Sequence, residues 1–408
     1  MILDLGTIWR KAAVAQVGLD PETKRRKAVI IGAGKDRAQR RKRGETTLEE
    51  MVASCRRAVE KAEDTAGVRP RRLVMGVSGQ MMKVITSGET YQRKNSDKPI
   101  TLIEIKNVIQ KIQWRILDKI RAKEREECDT PEKDIKIFSG EILEIKIDGY
   151  QVINPIGFKG KEISLVILNT YSSSQNFKLL RRLANSLRVK LKAITAGGHA
   201  VLGAITETIF KARNLGGVSC FLIDCGGRLT DVFAVCDGFV EGPKTLSLGG
   251  HSFTKKLAAK VGLSREEAEQ LKMEYSSGNL PKAIKQKIDE ILFPELKIWF
   301  RGVEATLNDF SLAGETPFLI LACGGNVALP DIKKFLEGKD WQTRINLQQG
   351  VRMRIIDKAD ISSVEDDTGI LVDPEDIPVL ALVKNGLELM KKRSDMNKTL
   401  EKVIKLMW

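Results

Sequence analysis

The chain has 408 residues, 42% of them apolar and 5% aromatic, and Lys and Arg exceed Asp and Glu by 15. The apolar content excludes a wholly disordered chain, the length fits two to three domain-sized units, and the few aromatics argue against a base-stacking single-strand binder. The positive charge favours an anionic partner (lipid headgroups, polyphosphate or nucleic acid) and says nothing about fold.

No apolar run reaches the roughly 18–20 residues needed to span a bilayer, and no basic-then-apolar leader precedes the first strand. A cytoplasmic protein is expected. The six cysteines, Cys55, Cys128, Cys220, Cys225, Cys236 and Cys323, include no C-x-x-C pair. With only two histidines they read as small buried hydrophobes rather than metal ligands.

In chain order, short strands at Ile2–Gly6, Lys11–Leu19 and Lys27–Gly34 are followed by a polar, basic segment. A helix is expected over Leu48–Ala66, with Met51, Cys55, Ala58, Val59 and Ala62 on one face. A strand at Arg71–Gly79 closes this first α/β half. Residues 80–163 read as a separate α+β unit. A strand at Met81–Ser87 leads through a polar loop to a helix over Leu102–Arg125, then to strands at Glu141–Gly149 and Tyr150–Phe158. The α/β pattern resumes with a strand at Glu162–Thr170, a helix at Ser173–Leu187 and a helical stretch at Gly198–Ala212.

A second half then opens as the first did, with strand, glycine turn and strand from Val218 to Cys236. Helices follow from His251 to about Phe293 and on to Phe310. A strand at Pro317–Gly325, a helix from Leu329, a strand at Arg352–Asp357 and a helix from Pro374 complete it.

Two hairpins carry the chemical signal. Asp4-Leu5-Gly6-Thr7 ends the first strand, and Asp224-Cys225-Gly226-Gly227 ends its counterpart. Glycine turns expose backbone N–H groups to phosphate oxygens, and an aspartate at each strand end can hold a hydrated Mg²⁺. Lys11 can reach a terminal phosphate, and Thr7, Thr230 and Asp231 add polar groups near the tips. A third element, Gly324-Gly325-Asn326, lies at a strand-to-helix turn where a flat base can approach the backbone. No G-x-x-x-x-G-K-[ST] run is present, which excludes a P-loop enzyme.

This order of two phosphate hairpins and a glycine turn resembles the actin, heat-shock-ATPase and sugar-kinase superfamily. Within it the chain resembles the FtsA family of bacterial cell-division proteins. The insertion follows Leu73–Gly79, where FtsA and the pilus protein PilM carry theirs, and the segments Ile153–Leu187 and Leu263–Tyr275 are similar to FtsA. The resemblance implies an α/β, actin-like ATPase fold, with two duplicated α/β lobes around a nucleotide cleft and an FtsA-type inserted α+β subdomain.

The expected divisions are 1–79 with 164–212 (subdomain IA), 80–163 (the insertion, IC), 213–262 with 311–390 (IIA), 263–310 (a reduced, helical IIB) and 391–408 (a terminal helix). The resemblance also implies ATP and Mg²⁺ as cofactors. It places Asp4, Gly6, Thr7 and Lys11 at one phosphate site, and Asp224, Gly226 and Gly227 at the other. Glu269 and Lys272 match the ribose and base contacts, and Gly324, Gly325 and Asn326 the adenosine turn.

Three departures stand out. Arg228 replaces a third glycine, where it can neutralise phosphate or narrow the loop. Thr195 stands where relatives carry an acidic or amide residue near the attacking water, so any hydrolysis is expected to be slow. Gly249-Gly250-His251 replaces Gly-Gly-Asp, with His251 read as a helix-start residue.

Residues 391–408 carry six basic and two acidic residues. Helical spacing puts Met396, Leu400, Val403, Ile404 and Met407 on one face, and Trp408 closes the chain. This is the composition of a helix lying on anionic lipid, and FtsA ends in such a helix. The resemblance implies as partners further copies of the chain in a filament, the anionic inner face of the membrane, and the tubulin-like FtsZ or other division proteins. Nucleic acid is not indicated. Between Lys24 and Arg43 ten basic residues accompany one acidic one, Asp36, and read as a solvated loop. The alternatives are a PilM-like pilus-assembly scaffold, a DNA-segregating ATPase and a small-molecule kinase.

Overall fold

The computed structural model describes residues 1–38, 47–127, 134–210, 219–310, 317, 319–338, 351–391 and 393–407. The chain forms two compact units. The first comprises Met1–Gln80, Arg181–Gly238 and Gly242–Met390, and the second Met81–Leu180, Phe239–Glu241 and Lys391–Trp408.

The chain opens with β1 (Ile2–Leu5), β2 (Trp9–Leu19), β3 (Arg26–Arg37), α1 (Leu48–Ala66) and β4 (Arg72–Val77). Thr47 starts α1 through a reciprocal cap, its hydroxyl accepting from the Glu50 N–H while the Glu50 carboxylate accepts from the Thr47 N–H. Next come β5 (Lys83–Gln92), α2 (Leu102–Glu127), β6 (Ile135–Ile147), β7 (Tyr150–Gln151) and β8 (Glu162–Ser173). They are followed by α3 (Ser174–Ser186), β9 (Lys190–Ala196), α4 (Gly197–Ile205), β10 (Cys220–Cys225), β11 (Thr230–Cys236) and β12 (Phe239–Leu246). Then come α5 (Gly250–Val261), α6 (Arg265–Ser276), α7 (Lys282–Asn308), β13 (Leu319–Cys323) and α8 (Pro330–Glu337). The last elements are β14 (Arg352–Ile355), β15 (Val364–Asp366), α9 (Ile377–Glu388) and α10 (Asp395–Leu406).

In the first unit one sheet has the order β15-β3-β2-β1-β4-β9, and a second carries β14-β13-β10-β11-β12. The plan repeats. β1 is antiparallel to β2 and parallel to β4, just as β10 is antiparallel to β11 and parallel to β13. Each hairpin therefore sits in the middle of a sheet, where its strand end is fixed from both sides. A core of Phe221, Ile223, Val232, Phe253, Leu292, Trp299 and Val303 joins β10 and β11 to α5 and α7.

Several expectations need correction. Helix α7 runs unbroken through Pro294, where two helices were expected, because its buried face continues across it from Ile288 and Leu292 to Leu296 and Trp299. The basic run from Lys24 is not simply a loop: Arg26–Arg37 is β3, with Lys27 paired to Glu365 and Lys35 to Asp373 and Asp376. Arg40–Arg43 lie outside the described residues. β5 extends to Gln92 and pairs with β8 along its length, which carries the polar stretch Gly88–Gln92 as strand rather than loop. Since β8 also pairs with β6, the inserted unit reaches Leu180 instead of ending at residue 163.

The largest correction concerns the terminal helix. The second unit has the antiparallel order β5-β8-β6-β7. Its core draws Ile105, Ile109, Ile112 and Ile116 from α2, Ile137 and Ile145 from β6, and Ile163, Leu165 and Ile167 from β8. Met396, Leu400, Val403 and Ile404 of α10 belong to this same core, with Leu400 and Val403 fully buried and Met407 packed against it. Asn397 fixes the register by accepting the Ile142 N–H at 2.7 Å. The apolar face expected to meet lipid is thus covered by α2 and β6. Trp408 lies outside the described residues. Among the described residues no helix is long and apolar enough to cross a membrane.

Candidate functional site

Both hairpins place an aspartate opposite a charged residue of the returning strand, Asp4 across from Lys11 and Asp224 across from Asp231. Their tips meet. The Thr7 hydroxyl accepts the Arg228 N–H at 3.2 Å, and a Cβ on Gly227 would come within 2.3 Å of Ile8 Cδ1. The second tip is held from behind by the start of α5, where the Gly250 N–H donates to the Gly226 carbonyl at 3.2 Å and the His251 N–H to the Gly227 carbonyl at 2.6 Å. That backbone duty explains His251 as a helix-start residue.

A cavity of about 650 Å³ opens beside the tips. It is lined by Asp4, Gly6, Thr7 and Lys11 from the first hairpin and Asp224, Gly226 and Gly227 from the second. Glu269 and Lys272 of α6, Gly324, Gly325 and Asn326 also line it, so all these sequence-predicted residues converge on one cleft. Its size is that of a small-ligand pocket.

The carboxylates carry unfavourable charge. Burial pushes Asp4 up to about 6, against the opposing pull of Lys11 and Arg10. Burial, with Asp231 and Asp4 nearby, pushes Asp224 up to about 7. Asp231, also raised by burial, accepts the Gly79 N–H at 2.8 Å and the Thr245 hydroxyl at 2.6 Å. Such a cluster favours a cation. Among the described residues no group of three or more His, Cys, Asp or Glu forms a ready-made metal cage. Asp4 and Asp224 fit a hydrated Mg²⁺, which takes few carboxylates and keeps most of its waters.

The far end is built around Asn326. Its Nδ2 donates to the carbonyls of Gly226, at 2.8 Å, and Cys225, at 3.2 Å, tying the glycine turn to the second hairpin. Gly324 takes φ +94, and a Cβ there would lie 2.6 Å from both Asp224 Oδ1 and the Cys225 carbonyl oxygen. Lys272 Nζ lies 3.0 Å from Glu269 Oε2 and donates to the Thr254 hydroxyl at 3.1 Å, while burial lowers its pKa. Thr254 in turn donates to Glu269.

No family model matches the chain. Cell division protein FtsA of Bacillus subtilis is 23% identical over 298 residues, which cover 71% of this chain and 60% of that protein. FtsA of Streptococcus pneumoniae is 22% identical over 80% of this chain and 70% of its own length. FtsA of Pseudomonas aeruginosa is 23% identical over 79% and 76%. Among solved structures, a chain of the PilM-PilN type IV pilus biogenesis complex superposes with a TM-score of 0.60 at 13% identity, covering 94% of this chain and 97% of that one. The chain has the actin-like ATPase fold and is FtsA-like in sequence. It spans less than two thirds of the length of the Bacillus subtilis FtsA.

Within this actin-like frame three expected residues stand apart from the cavity lining. Thr195 is buried, its hydroxyl 3.3 Å from His199 Nδ1 and 3.4 Å from the Ala196 carbonyl oxygen. Burial holds His199 down to about 4, so it is neutral. Thr230 is fully buried, donating to the Leu248 carbonyl and accepting the Trp299 indole N–H, each at 2.8 Å, which is a structural duty. Arg228 contributes its backbone N–H to Thr7, and it is not among the residues lining the cavity.

Conversely, the sequence reading missed the turn Asp373-Pro374-Glu375-Asp376. Lys11 Nζ is 3.1 Å from Asp376 Oδ1 and 3.6 Å from Glu375 Oε1, and it also donates to the Glu375 carbonyl. Lys35 bridges Asp376 at 2.7 Å and Asp373 at 3.1 Å. Lys11 is therefore held by carboxylates at the cleft wall. The only local signal was an Asp at positions 373 and 376 before an apolar helix, which reads as a cap.

Proposed function

We propose that the chain binds ATP with Mg²⁺ in this cleft and acts as an FtsA-like cytoskeletal protein of cell division that assembles into filaments. The observation carrying the reading is the convergence of two aspartate-tipped hairpins and the Gly324–Asn326 turn on one cavity. The exposed N–H groups of the tips cradle phosphates, Lys272 and Glu269 face the nucleoside, and Asn326 keeps the two ends in register. Asp4 and Asp224 would hold the metal through its waters, and the metal would neutralise phosphate charge.

With Thr195 engaged by His199 and Ala196 and away from the cavity lining, nucleotide serves as a regulator of assembly and hydrolysis is slow or absent. FtsZ and other division proteins are the partners this reading brings with it. The test is sedimentation of the chain with ATP and Mg²⁺. Polymer that requires both supports the reading, and a monomer that binds nucleotide without assembling removes the filament from it.

A second reading, a PilM-like pilus-assembly scaffold, is favoured by one observation. The apolar face of α10 is spent on the second unit's own core, which removes the lipid foot that had distinguished the FtsA reading.

A further inference from the structure

The turn that holds Lys11 divides its work between two carboxylates. Asp376 is fully buried and gripped from several sides. It accepts the Asp373 N–H at 3.0 Å and lies 2.7 Å from Lys35 Nζ as well as 3.1 Å from Lys11 Nζ. It does not line the cavity, so it stands behind the lysine as a fixed partner. Glu375 is placed differently. Its side chain is 30% exposed and lines the cavity, and its carboxylate stands 3.6 Å from Lys11 Nζ, too far for a hydrogen bond.

On its other side Glu375 lies against the glycine turn, where a Cβ on Gly325 would come within 3.2 Å of both Glu375 Cβ and Oε2. The side chain therefore spans from the lysine of the first hairpin to the turn that Asn326 ties to the second. Lys11 itself is 3% exposed, with Glu375 on its cavity side. Among the described residues the lysines lining the cavity are Lys11, Lys35 and Lys272, and each is already paired with a carboxylate of the chain.

We propose that Glu375 is an internal competitor for the anion. Its carboxylate covers Lys11 and must swing aside before a polyphosphate can pair with that lysine, so Glu375 sets the affinity of the cleft. The proposal rests on the reading that this cleft takes the polyphosphate of a nucleotide. If Glu375 stayed, a second negative charge at the ammonium would repel the phosphate at close range. Its long ion contact and partial exposure make it the partner that can leave, since such pairs are weak. Asp376 then keeps Lys11 in position for the incoming phosphate.

The experiment is calorimetry of the full chain and of Glu375→Gln with two probes, ATP with Mg²⁺ and inorganic tripolyphosphate. Glutamine keeps the shape, and the cap that closes this turn, Asp373 with Asp376, is untouched. Glu375→Gln should bind both probes about tenfold more tightly than the parent. Glu266→Gln removes a charge elsewhere on the cavity lining and should change either affinity by less than about twofold. Thermal melts show that both variants keep their fold. The proposal is overturned if Glu375→Gln binds the probes no more tightly than the parent, if Glu266→Gln gains as much, or if no chain binds either probe. ATP bound equally by parent and Glu375→Gln overturns the competition and leaves the nucleotide reading standing. Tripolyphosphate gained by Glu375→Gln, with ATP bound by neither chain, supports the competition and removes the nucleotide.

Discussion

The hydroxyl of Thr7 accepts a hydrogen bond from the backbone N–H of Arg228, 221 residues further along the chain, at 3.2 Å. This bond joins the two hairpin tips at the end of the cleft proposed to take the phosphates. Thr7→Val keeps the shape and removes the acceptor, leaving the Arg228 N–H to find another partner. A net loss of about 1 kcal/mol is expected, seen as about fivefold weaker ATP binding by calorimetry. Thr7→Ser should retain parental affinity.

Two glycines in the cleft should respond unequally. Gly324→Ala must hold φ +94 and set a methyl 2.6 Å from Asp224 Oδ1 and a backbone carbonyl. It should cost about 1–3 kcal/mol of stability in urea unfolding and abolish nucleotide binding. Gly227→Ala meets mainly the end of the Ile8 side chain, which can turn aside. Its loss should be smaller on both counts.

The aspartates make stability depend on pH in a defined direction. Asp224 is raised from 3.8 to about 7 and Asp4 from 3.8 to about 6, so in this window the folded chain holds protons that the unfolded chain releases. Unfolding stability contributed by these groups therefore falls as pH rises from about 4 to about 7. Asp224→Asn should be more stable than the parent at pH 8 without ligand, by about 1–3 kcal/mol, and equal to it near pH 4. Thermal melts at the two pH values check this. Mg²⁺-dependent nucleotide binding should strengthen over the same rise, as the carboxylates lose their protons.

What the sequence revealed, and what it hid, follows from distance along the chain. The Asp-x-Gly hairpins and the Gly324–Asn326 turn were legible because each is a local strand-end pattern. The carboxylates that hold Lys11 were not, because Glu375 lies 364 residues away and its segment carries only a helix-start signature. Thr230 was misread for the opposite reason. Its place at a hairpin suggested a phosphate contact, but Trp299 and the Leu248 carbonyl claim its hydroxyl.

Helix α10 shows the same limit. A 3.6-residue apolar stripe has the same spacing whether it faces lipid or a protein core, and only the distant faces of α2 and β6 decide between them. Leu400→Ala should therefore destabilise the second unit by about 2–5 kcal/mol, measured by urea unfolding. A helix lying free on the surface would lose almost nothing.

The central claim is that the two hairpins close on one metal-bound adenine nucleotide. Isothermal titration calorimetry of the full chain with ATP, with and without magnesium, tests it most directly. One Mg²⁺-dependent binding event, lost in Asp4→Asn and in Asp224→Asn, is the result expected. Absence of ATP uptake by the parent, or uptake indifferent to magnesium and to both substitutions, would contradict it.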